Sequence, residues 1–136
     1  MQTNQLGRVE TRSMAIQAAP DQVHAFLAEP ENLPRWAPGF AQAVRADGDE
    51  VIVSSQGQDV RMTMVSSLES RTVDMTTGTD RRLGLFVRVL PNGDGSECVV
   101  SVAFGDNTPD AVVAAQMTVV AEELTAIRSL TEAGKA

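Results

Sequence analysis

Tyrosine is missing from this chain, and its aromatics amount to four phenylalanines and one tryptophan in 136 residues. A core made from Val, Met and Leu has few side chains large enough to fill a wide space, which tilts the reading slightly towards a cavity. Cysteine occurs once, which rules out a disulfide framework. Cys98 stands in a strand-like run and reads as a small core residue rather than a reactive thiol. Histidine also occurs once, so any scheme of histidine catalysis must use His24. One His and one Cys supply no cluster with the spacing of a metal site. There is no G-x-S-x-G turn, and no Ser or Cys has a base beside it. The glycine-rich string GDGSE at 93–97 is not followed by a helix, which makes it a hairpin loop rather than a phosphate cradle. The sequence therefore assigns no catalytic residue and calls for no metal or cofactor.

Long apolar runs are also lacking. No stretch of 18 apolar residues exists to span a membrane, and the start MQTNQLGRVE has no signal-peptide centre, so a cytoplasmic protein is expected. Basic residues are few and scattered, 11 against 18 acidic ones for a net charge of −7. Phosphate-backbone binding relies on concentrated Lys and Arg, so nucleic acid is not an expected partner. The acidity is more simply a solubility device.

What the chain does contain is clear periodicity. Within RVETRSMAIQ (8–17), Met14 and Ile16 alternate with polar or small residues as in a strand. Pro20 and Asp21 suit a helix start, and Val23, Phe26 and Leu27 give residues 20–28 one apolar face. That phase turns His24 toward solvent. Glu29-Pro30 should end this helix, because the residue before proline is pushed out of the helical region. A second short helix or turn covers Glu31 to Trp36, closed by Pro38-Gly39. From Phe40 to Gly105, short alternating runs are divided by Asp47-Gly48-Asp49, Gln56-Gly57-Gln58, Gly78-Thr79-Asp80 and Pro91-Asn92-Gly93-Asp94-Gly95. This implies an antiparallel meander of about six strands. One face collects Val60, Met62, Met64, Val73, Met75, Leu83, Leu85, Val87, Val89, Val100, Val102 and Phe104; Arg61, Thr63, Asp74, Arg82 and Arg88 lie on the other. Thr108 as cap and Pro109 in the first turn then open a long helix to about residue 132. Its apolar stripe, Val113, Met117, Val120, Leu124 and Ile127, should lie across the apolar face of the sheet.

The segments MAIQAAPDQVHAFLAEPENLPRWAPGF and AEELTAIRSL, with the order strand, two short helices, meander and long terminal helix, resemble the helix-grip fold of the START-like (SRPBCC) superfamily. The resemblance spans nearly all of residues 1–136, taken as a single START-like domain. It implies an α+β fold in which a curved antiparallel sheet of about seven strands wraps the last helix and leaves a cavity between them. Members of the superfamily include lipid carriers, aromatic polyketide cyclases and chaperone activators, and a shared fold does not choose among them.

On this basis the expected partner is an apolar or aromatic small molecule, without membrane insertion, bound by a monomer or homodimer. Trp36 and Phe40 either plug the open end of the sheet or line the cavity mouth. Met62, Met64, Met75 and Met117 either fill core gaps or form an adaptable binding surface. With Leu85, Val113 and Val120 they complete the expected ligand-contacting set. Gln116 and Glu123, seven apart on the flank of the helix stripe, and Arg35 beside Trp36 are the candidate polar contacts, with solvent exposure as the alternative for each. A buried Glu123 would need a partner or a raised pKa. A cyclase-like enzyme is the first rival function, opposed by the shortage of polar groups on the inner face. A protein-interaction module is the second, with no surface marked for it.

Overall fold

The computed structural model describes residues 6–77 and 83–134. Seven strands, β1 (Arg8–Ile16), β2 (Ala43–Asp47), β3 (Glu50–Ser55), β4 (Gln58–Ser67), β5 (Thr72–Thr77), β6 (Gly84–Asn92) and β7 (Gly95–Phe104), form one antiparallel sheet in the order β1-β7-β6-β5-β4-β3-β2. Helices α1 (Pro20–Ala28) and α2 (Leu33–Trp36) follow β1, and α3 (Asp110–Ala133) closes the chain. This is the helix-grip α+β fold.

The hairpins form where turn chemistry permits them. At the β3–β4 turn, Gln56 and Gly57 both take positive φ, 52° and 82°, the pair a tight hairpin turn needs. At the β6–β7 turn, Gly93 sits at φ 57°. The turn expected at Gly78-Thr79-Asp80 and the outward placing of Arg82 lie outside the described residues, as does the polar start MQTNQ.

Cross-strand register puts the apolar residues in rows on one face. Met64 pairs with Met75, Met75 with Leu85 and Leu85 with Val102; one row along, Val73 pairs with Val87 and Val87 with Val100. The stripe of α3 packs against this face, with Val113, Met117, Val120, Leu124 and Ile127 all buried. Opposite the stripe, Thr118, Glu122, Thr125 and Ser129 are exposed. Cys98 is fully buried in β7, and burial pushes its thiol up to about 12, as befits an inert core residue.

Two local expectations fail. Thr108 does not cap α3: Pro109 occupies the N-cap position with extended backbone, while the Thr108 hydroxyl donates to the Gly105 carbonyl at 2.7 Å and closes the preceding turn. His24 is not at the surface. It is 3 % exposed, and its Nε2–H donates to the Thr72 carbonyl at 3.1 Å. The reason is tertiary: α1 packs against α3 and also against β5, β6 and β7, so it is covered on more than the face marked by Val23, Phe26 and Leu27.

Candidate functional site

The open end of the grip is closed by the segment that follows α1. Glu29 leaves the helix with extended backbone, a single 3₁₀ turn covers Pro30–Asn32, and the Asn32 side-chain amide donates to the Phe26 carbonyl at 2.9 Å, satisfying one end of α1. α2 then delivers Leu33 and Trp36 inward, both buried. Past Trp36 the chain turns back on itself, with Phe40 and Ala41 N–H groups donating to the Ala37 carbonyl at 3.1 and 2.8 Å. Two glutamines tie this turn to the β3–β4 hairpin. Gln42 donates to the Pro38 carbonyl (2.8 Å) and accepts from the Gln56 backbone N–H (2.8 Å), and the Gln56 amide donates to the Gly39 carbonyl (3.1 Å).

Between this turn, the sheet and α3 lies a cavity of about 590 Å³, within the ~300–1,000 Å³ range of small-molecule sites. Its sheet wall is Met62, Met75, Leu85 and Val102, one from each of β4 to β7. The turn contributes Leu33, Trp36, Ala37, Pro38, Gly39 and Phe40, and α3 contributes Gln116, Val119, Glu122 and Glu123. Ser55, Thr77 and Gly84 complete the wall. Gly84 has φ +145°, and a Cβ there would be driven into the Met75 carbonyl oxygen, so only glycine allows β6 to start this close to β5 at the cavity wall.

Of the residues singled out from sequence, Trp36, Phe40, Met62, Met75, Leu85, Gln116 and Glu123 come together around this space. The others do not reach it. Val113, Met117 and Val120 are consumed in the dry contact between α3 and the sheet, at 2 %, 3 % and 0 % exposure. Met64 packs, partly buried, against the core. Arg35 is exposed; its guanidinium lies 5.4 Å from the Phe26 ring centre and donates to Asn32 Oδ1 at 3.2 Å. The cavity sits beside the helix stripe rather than beneath it. Val119, missed from sequence, lies on the same flank as Gln116 and Glu123, three and four residues from them.

The electrostatics of the site centre on Glu123. Its Oε1 is buried with no hydrogen-bond partner among the described residues. Burial first, and then the neighbouring Glu122 charge, raise its pKa from 4.5 to about 7. Trp36 is 3 % exposed and its Nε1 is likewise buried without a partner. Among the described residues no group of three or more His, Cys, Asp or Glu side chains could hold a metal ion, and no helix is long and apolar enough to cross a membrane.

A sheet gripping a terminal helix, with an apolar cavity at one end, defines the helix-grip class. The family model described as polyketide cyclase / dehydrase and lipid transport matches residues 9–132, and the chain belongs to that family. No curated protein sequence matches it. Similar solved structures include the protein XoxI from Bacillus cereus, at TM-score 0.71 and 16 % identity, covering 90 % of this chain and 94 % of that one. A START superfamily protein from Mycobacterium smegmatis aligns at TM-score 0.64 and 13 % identity, covering 95 % and 97 %. The Zhui aromatase/cyclase from a Streptomyces species aligns at TM-score 0.65 and 15 % identity, covering 92 % and 93 %. At these identities the likeness is one of fold.

Proposed function

We propose that this protein binds an apolar or aromatic small molecule in the cavity between the sheet and α3. The observation that supports this most is the composition of the cavity wall. Met62, Met75, Leu85, Val102, Trp36 and Phe40 offer a flexible, mostly aliphatic surface with two flat rings, and polar groups enter chiefly from one flank of α3. Burying a ligand against such a surface is favoured at roughly 25 cal/mol per Å² of apolar area, less the cost of immobilising it. Native mass spectrometry of the purified protein, combined with titration of an environment-sensitive apolar dye, tests the reading. The dye should shift or quench the emission of Trp36, and Met62→Glu should abolish binding. A dye that leaves Trp36 unchanged and still binds the Met62→Glu protein sits elsewhere and sinks the proposal.

One feature favours a second reading, a cyclase-like enzyme. Glu123, with its pKa raised to about 7, is poised for proton transfer near neutral pH. Incubation with a synthetic poly-ketone separates the two readings. Aldol closure that is lost in Glu123→Gln supports the enzyme, whereas binding of the poly-ketone without turnover supports the carrier.

A further inference from the structure

Two buried side-chain polar atoms lack a hydrogen-bond partner among the described residues, Trp36 Nε1 and Glu123 Oε1, and both residues belong to the wall of the same cavity. They come from α2 and α3, which pack against each other. One is an obligate donor and the other an acceptor. An unsatisfied buried group is costly, and native interiors leave few of them. Their shared location on a cavity wall is explained if a ligand supplies the missing partners.

We propose that Trp36 and Glu123 form a recognition pair for a single hydroxyl group on an otherwise apolar, uncharged ligand, an alcohol or a phenol. This deepens the ligand-binding reading of the cavity and rests on it. A hydroxyl oxygen accepts from the indole N–H while its own hydrogen is donated to the Glu123 carboxyl, so one functional group satisfies both atoms. Other head groups fail on one side or the other. An ammonium has donors only and leaves the indole N–H unpaired. A carboxylate has acceptors only, so it leaves an ionised Glu123 unpaired and adds a third negative group beside it and Glu122; the probes are therefore compared at about pH 8, above the Glu123 pKa of about 7. A plain hydrocarbon leaves both atoms unpaired. Both atoms are closed off in the described conformation, so seating the hydroxyl requires the Glu123 carboxyl and the indole to turn toward the cavity when it binds. The pair works with Glu123 ionised or neutral, because a protonated carboxyl keeps an acceptor oxygen.

Four probes on one skeleton test this by calorimetry on the intact protein: methylnaphthalene, naphthylmethanol, naphthylmethylamine and naphthylacetate. Naphthylmethanol should bind about tenfold more tightly than each of the other three, as expected when a ligand completes buried hydrogen bonds that its analogues leave open. The chain has one tryptophan, so its single indole N–H resonance should move downfield with naphthylmethanol and not with methylnaphthalene. Trp36→Phe keeps an aromatic wall and Glu123→Leu keeps an aliphatic one; each should reduce the preference for naphthylmethanol over methylnaphthalene to about twofold. Equal binding of those two probes by the unmodified protein overturns the recognition pair and leaves the apolar cavity standing, as does tightest binding of the amine or the acetate. No binding of any probe to the folded protein overturns the cavity reading itself. The ranking on the unmodified protein decides the matter even where a variant fails to fold.

Discussion

Glu123 and His24 are both polar residues turned inward, and they differ in what they meet there. His24 finds the Thr72 carbonyl and thereby fastens α1 to β5. His24→Ala removes that bond and leaves a void in a site that is 3 % exposed, so it should cost about 2–3 kcal/mol, read as a lower urea midpoint. Glu123 finds no partner for Oε1 among the described residues, and the proton is the cheaper way to meet its burial. Because its folded pKa is raised from 4.5 to about 7, the folded state holds the proton more tightly than the unfolded chain does. Its contribution to stability is therefore fully present below about pH 4.5 and is lost as pH rises through about 7, on the order of 3 kcal/mol in all. Urea unfolding at about pH 5 and about pH 8 should show the parent losing stability relative to Glu123→Gln. An unchanged difference between the two proteins across that interval would mean that Glu123 is solvated in the folded state.

At the level of elements, α3 carries the strongest test of the packing. Leu124→Ala should cost about 2–5 kcal/mol, because Leu124 is 1 % exposed beneath the helix. Thr125→Ala, one residue along and facing water, should change stability by less than about 0.5 kcal/mol. Equal, small losses would mean that the helix does not dock through this stripe. The elements were legible in the sequence because each follows a local rule. The stripe of α3 repeats at helical spacing, the strands alternate, and Gly48, Gly57 and Gly93 mark turns with their positive φ. The site was only half legible. Trp36 and Phe40 drew notice as rare aromatics in a proline-stiffened turn, and Gln116 and Glu123 as polar residues beside an apolar stripe. The stripe itself reports which side of α3 is buried, not which flank faces a void. Val119 and Glu122 were therefore missed, while Val113, Met117 and Val120 were expected at the ligand and lie in the core. His24 was misplaced for a related reason, since periodicity over nine residues cannot reveal that a short helix is covered from several directions.

For the molecule as a whole, the proposed binding would couple ligand to stability. A probe that occupies it only in the folded state, at a hundred times its dissociation constant, should add about 2.7 kcal/mol to unfolding. The same probe should add nothing to a Met62→Glu protein that remains folded. Such a shift is a property of the entire grip, because the wall draws on β4, β5, β6 and β7, the turn after α2, and α3. No local pattern in the sequence states that these segments meet. The pairing of β1 with β7 in particular, Arg8 opposite Phe104 and Ile16 opposite Ser96, joins strands separated by most of the chain. It was reachable from the resemblance to a known fold and not from periodicity.

That pairing has a consequence for how the protein comes into being. β1 lies at one edge of the sheet and, among the described residues, has β7 as its only strand neighbour. During synthesis β1 is made first and waits, unpaired, until the ribosome has delivered residues 95–104. The meander from β2 to β6 can form its hairpins meanwhile, each from neighbouring sequence. Closing the loop between β1 and β7 carries the largest entropic cost of any strand pairing in the sheet and comes late. Nascent chains stalled with β6 but not β7 outside the ribosome should thus be cut by protease within residues 8–16, and chains long enough to expose β7 should resist. Protection of β1 in the shorter chains would show that it finds a partner earlier. Until that last partner arrives the floor of the cavity lacks Val102, so the newborn protein can fold hairpins before its cavity is complete.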